Sequence, residues 1–147
     1  MTRARSKARE AYTIARALRS LLQELFTQSL RQMELLECED YETLEEVVLK
    51  KSALLDMLPP VLEAAKSQGW QLHDPSTYPE DRTCALWIRE AADLSTRLQA
   101  HEKYCLGEMI TRQGRVGDRL TRLLGKRNAV AGYRVPLTRG NTVNTER

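Results

Sequence analysis

The sequence predicts an all-α protein: an antiparallel bundle of three long helices, with a kinked second helix and a flexible C-terminal tail. Three observations predict it. Apolar residues recur at steps of three and four along three separate stretches, which is the spacing of one helix face. Aromatic residues make up only 5% of the chain, and Phe26 is its single phenylalanine, whereas strands favour aromatic and β-branched side chains. The plentiful residues are instead the helix formers Leu, Ala, Arg, Glu and Gln. A chain of 147 residues is one domain by default, here a bundle over 1–125 followed by a tail over 126–147.

The first helix is expected from Ser6 to Leu36. Ala11, Ile14, Ala15, Leu18, Leu21, Leu22, Leu25 and Phe26 form its stripe, continued by Leu30 and Met33. Ser6 is the candidate N-cap, but Lys7 and Arg9 oppose the helix dipole, so the first residues should fray. The period breaks at Glu37-Cys38-Glu39-Asp40. Asp40 caps a second helix whose first turns carry Glu42, Glu45 and Glu46, the right charge for that end. Its stripe is Leu44, Val47, Val48, Leu54, Leu55 and Leu58, and Glu46 and Lys50 are spaced to pair on its polar side. Pro59-Pro60 predicts a kink or a break near Leu58, because an interior proline loses a hydrogen bond and clashes with the preceding turn. A short continuation through Val61, Leu62 and Ala65 then ends at Gly69 as the C′ glycine. Trp70 to Asp81 is the one long loop, from which Trp70 and Leu72 should pack back onto the bundle.

The third helix is the longest, Arg82 to Leu124, roughly 43 residues or about 65 Å at 1.5 Å per residue. Its stripe is Cys84, Trp87, Ala91, Leu94, Leu98, Cys105, Met109, Val116, Leu120 and Leu123. On this reading it is the element around which the chain is organised. Gly107, Gly114 and Gly117 weaken its second half by up to roughly 1 kcal/mol each relative to alanine. From Gly125 the periodicity is lost and Gly, Pro, Asn and Thr accumulate, which predicts flexibility.

Net charge is only +3, but it is unevenly spread. Arg3, Arg5, Lys7, Arg9, Arg16 and Arg19 make the start basic. Glu34, Glu37, Glu39, Asp40, Glu42, Glu45 and Glu46 make the first turn acidic. Arg112, Arg115, Arg119, Arg122, Lys126 and Arg127 make the end of the third helix basic. In an up-down-up bundle Arg112, Arg115, Arg119 and Arg122 would approach the acidic turn; a solvated or internally paired face is favoured over nucleic-acid binding. No apolar run approaches the roughly 20 residues of a membrane-spanning helix. The basic start lacks the apolar core of a secretory signal. The 3 cysteines, Cys38, Cys84 and Cys105, are odd in number and follow no motif, which suits free thiols in a reducing cytoplasm.

Catalytic patterns are nearly absent: there is no phosphate-binding loop, dinucleotide fingerprint, HExxH or GxSxG. His101 and Cys105 stand one turn apart and could be metal ligands, or a thiol and its base. A histidine at the edge of the helix seam beside a buried cysteine is the favoured reading, since only His73, Cys38 or Cys84 could complete a site. A di-iron carboxylate bundle is excluded, because neither His73 nor His101 has a Glu three residues before it. No catalytic residue, metal or cofactor is therefore expected. The apolar stripe of the third helix is core from Cys84 to Leu98. Beyond that it outruns the two shorter helices. Leu98, Cys105, Met109, Val116, Leu120, Leu123 and Leu124 are the candidate partner-binding face, suited to helix-in-groove recognition or to homodimerisation.

The segment YETLEEVVLKKSALLDML, with Lys51-Ser52 before Leu54-Leu55, resembles the corresponding stretch of FlgN-type flagellar export chaperones. LQAHEKYCLGEMITRQGRVGDRLTRLL resembles that family's long final helix, leading to a tail with Ala131-Gly132-Tyr133-Arg134. The resemblance covers roughly residues 10–134, through heptad-like motifs of low specificity. It implies a cytoplasmic, non-enzymatic chaperone. Such a protein binds C-terminal helical segments of hook–filament junction proteins, prevents premature assembly and delivers them to the flagellar type III export apparatus. It also implies Tyr133 as the residue that docks the export gate, against a plain solvent-exposed tail aromatic. The alternatives from other classes are a nucleic-acid-associated helical protein using its basic ends and a dimeric helical adaptor.

Overall fold

The computed structural model describes residues 2–112, together with Arg122 and Gly125. Its elements are α1 (Thr2–Glu37), α2 (Tyr41–Ser67) and α3 (Arg82–Arg112), with one turn of 3-10 helix at Pro75–Thr77 before α3. Among the described residues there is no strand, only an isolated bridge between Gln71 and Asp74 in the loop. The all-α prediction therefore holds. The end of the expected third helix, from 113 on, and the tail over 126–147 lie outside the described residues, apart from Arg122 and Gly125.

Local chemistry sets the helix ends. The amide of Asp40 reaches back to the Leu35 carbonyl and that of Glu39 to the Leu36 carbonyl, closing α1 in a Schellman turn. Glu39 occupies the left-handed position of this turn at φ 59. Asp40 then caps α2, its carboxylate accepting from the Thr43 amide at 3.2 Å. The other end of α2 repeats the motif: the Gly69 amide bonds Lys66 O and the Trp70 amide bonds Ala65 O, with Gly69 at φ 87. Trp70 is buried and packs with Ala65 and Leu72 in the same core, as expected. Asp81 caps α3 by accepting from the Cys84 amide at 2.9 Å.

Two expectations are corrected. α1 starts at Thr2 rather than Ser6. No break occurs near Leu58: α2 is a single helical run through both Pro59 and Pro60, whose side chains face solvent. The lost proline donors therefore fall on the outside of the bundle, where water can satisfy the freed carbonyls.

The core has two apolar parts. One joins Ala15, Leu18, Leu22 and Leu25 of α1 to Leu55, Leu58 and Ala65 of α2 and Cys84, Ile88, Ala91 and Leu98 of α3. The other joins Met33, Leu35 and Leu36 to Leu44, Val47 and Val48 and to Cys105 and Met109. The late half of α2 thus shares a cluster with the early and middle turns of α1 and α3, and its early half shares one with their last turns. Cross-pairs between α1 and α3 advance together: Tyr12 with Trp87, Arg19 with Glu90, Ser29 with His101, Met33 with Cys105. α1 is the helix against which both others pack. Among the described residues the organising element is therefore α1 rather than the third helix. Lys50 crosses to Glu24 of α1 at 4.0 Å, where an in-helix pair with Glu46 was expected.

Candidate functional site

A layer of polar side chains lies between the two apolar clusters. α1 supplies Gln28, Ser29 and Gln32, α2 supplies Lys51 and Ser52, and α3 supplies Glu102; all are buried. Each stands at a position that helical spacing assigns to the core: Lys51 is one turn after Val47 and one before Leu55, and Glu102 one turn after Leu98. The Lys51 ammonium is fully enclosed. It pairs with the Glu102 carboxylate across α2 and α3 and donates to Gln32 Oε1 of α1 at 2.6 Å. One ammonium therefore ties all three helices. Burying two charges is costly unless they are paired and hydrogen-bonded, and here both conditions are met for Lys51. The Gln32 amide nitrogen and the Ser52 hydroxyl are buried without a partner among the described residues.

Beside this pair, Ser29 Oγ lies 2.8 Å from His101 Nδ1. Cys105 Sγ lies 3.4 Å from the same nitrogen and 3.8 Å from Met33 Sδ. Phe26 and Tyr104 flank the imidazole edge-on and tilted. Burial pushes the His101 pKa below its ordinary 6.5; the Glu102 carboxylate works against this and the Lys51 ammonium with it. Burial pushes the Cys105 thiol up to about 12, aided by the Glu102 charge. Cys84 is raised to about 11, first by burial and then by its hydrogen bond with Asp81. Both thiols stay protonated near neutral pH and are weak nucleophiles. All three cysteines are free, with Cys38 the exposed one.

The candidate partner-binding residues divide sharply. Leu98, Cys105 and Met109 are buried in the chain's own core, at 0%, 0% and 1% exposure. The correction concerns what they face: Leu98 is closed in by the first apolar cluster, and Cys105 and Met109 by Met33, Leu36, Leu44 and Val48. Val116, Leu120, Leu123, Leu124 and Tyr133 lie outside the described residues. Arg112 pairs with Glu108 on its own helix at 3.8 Å; Arg115 and Arg119, also expected near the acidic turn, lie outside the described residues. His73 does not join His101. Lys51 and Ser52, which carried only a motif resemblance in the sequence, become the centre of the polar layer. The signal that finds them is their place on the apolar spacing of α2.

Comparison with protein-family models, with curated proteins and with solved structures gave no match to this chain.

Proposed function

We propose that this chain is a non-enzymatic helix-binding chaperone of the cytoplasm, of the kind its FlgN-like segments imply. It would hold the C-terminal helical segments of hook–filament junction proteins unassembled and pass them to the export apparatus. The up-down-up, antiparallel arrangement suits the way the two clusters share their helix halves, and the two prolines favour a bend in α2 around α1.

One observation carries the reading. Ser29 with His101 and Met33 with Cys105 are both 72 residues apart. The same step sets Glu37, the last residue of α1, level with Met109. The apolar spacing of the sequence continues with Val116, Leu120 and Leu123, and on this reading they form a face longer than α1, which ends at Glu37, can cover. A partner's amphipathic helix is the natural cover for such a face. No helix among the described residues is long and apolar enough to cross a membrane.

The test is capture of a C-terminal helical segment of a hook–filament junction protein by the full chain. Leu120→Asp and Leu123→Asp should each abolish capture while the far-ultraviolet helical signal persists. Loss of the helical signal would place these residues in the chain's own core and end the proposal. Tyr133→Ala should spare capture and weaken only docking to the export gate. Retention of nuclease-sensitive material with a steep salt dependence would support the nucleic-acid alternative instead.

A further inference from the structure

The group around Cys105 can be considered apart from any protein partner. Thiol, thioether and imidazole converge there from two helices: Cys105 and His101 from α3, Met33 from α1. His, Cys, Asp and Glu alone form no group of three suited to a metal among the described residues; the thioether is what makes this a three-donor cluster. Soft thiolate and thioether ligands select monovalent copper. An ion about 2.3 Å from each sulfur and about 2.0 Å from the nitrogen in a flat three-coordinate site would hold its sulfurs about 4.0 Å apart and its sulfur and nitrogen about 3.7 Å apart. The two separations that involve Cys105 are 3.8 Å and 3.4 Å, each within a few tenths of an ångström of those values.

We propose that Met33, His101 and Cys105 form a binding site for Cu(I). On binding, the Cys105 S–H bond breaks, its proton leaves to solvent and a sulfur–copper bond forms. His101, in the tautomer with its proton on Nε2, gives a lone pair from Nδ1, the nitrogen 2.8 Å from Ser29 Oγ, and Met33 gives a thioether lone pair. Copper stays monovalent and no electron is transferred. Thiolate and Cu(I) together are neutral, so the ion enters a buried position without adding net charge beside Lys51. A divalent zinc ion would leave one positive charge there, and it favours four N, S or O donors without a thioether. Ser29 is placed to donate its hydroxyl to the thiolate, the outer-shell contact that such sites use.

The experiment titrates the full chain with Cu(I) under anaerobic, reducing conditions against a chromophoric Cu(I) chelator. A Cys38→Ser/Cys84→Ser chain removes the other thiols. That chain should bind one ion, show a thiolate charge-transfer band and unfold at a higher temperature once loaded, because the ion links α1 to α3. Cys105→Ser should abolish binding. Met33→Leu and His101→Asn, which keep the packing close to the original, should each weaken it at least about tenfold, as loss of even an outer-shell group does. Undiminished affinity in both Met33→Leu and His101→Asn would show capture by a bare thiol and overturn the proposal. So would disappearance of binding in the Cys38→Ser/Cys84→Ser chain.

Discussion

Lys51 and Glu102 place a positive and a negative charge where helical spacing calls for leucine. Removing either partner leaves the other charge in the core, a change that costs about 3–5 kcal/mol in buried pairs. Lys51→Met and Glu102→Gln are each expected to destabilise the chain by that amount in urea unfolding. Lys51→Met combined with Glu102→Leu should recover most or all of the loss, since an apolar pair needs no desolvation. Leu98, fully buried, sets the apolar comparison: Leu98→Ala should cost about 2–5 kcal/mol. The positions of the layer are legible in the sequence as polar residues on apolar stripes. Their partners are not, because Lys51, Gln32 and Glu102 meet only through tertiary packing.

Among the elements, the caps were the most legible. Asp40 and Gly69 act through hydrogen bonds with residues a few positions away, so sequence spacing specifies them. Glu39 escaped notice because it holds the left-handed site that glycine usually fills. Glu39→Gly should raise stability by about 1 kcal/mol, from relief of a conformation that costs about 1–2 kcal/mol in a residue with a Cβ; thermal or denaturant unfolding checks it. The continuity of α2 was not legible, because proline's helix-breaking tendency is local and the packing of Leu55, Leu58 and Ala65 on either side of the pair is not. At the start of α3, the amide of Cys84 holds the Asp81 carboxyl below its ordinary 3.8. A depressed acid favours the fold above its unfolded-state value and loses that contribution as pH falls through the folded-state value. Acid unfolding should therefore begin at higher pH in the parent than in Asp81→Asn, which keeps a cap that does not titrate.

At the scale of the molecule, α1 is the shared wall of both apolar clusters. Its amides from Leu18 to Met33 on the buried face should be the slowest to exchange hydrogen, and those of the loop from Gln68 to Asp81 faster than those of the helices it joins. Equal protection in all three helices would contradict the central place of α1. The sequence pointed to the third helix because length and periodicity are visible there. Centrality depends on how many neighbours a helix has, which no single stripe records.

The buried ion pair also has a consequence for alignment. Heptad-like stripes of Leu and Val are nearly self-similar after one turn, so apolar packing alone hardly distinguishes the native pairing from a slipped one. Sliding α2 by a turn in either direction would carry the Lys51 ammonium from Gln32 and Glu102 into the level of Val47 and Val48 or of Leu55. The mismatch would strand an ammonium among methyl groups and a carboxylate opposite a leucine. The charge that weakens the core thus gives three repetitive helices a vernier mark, readable in only one position.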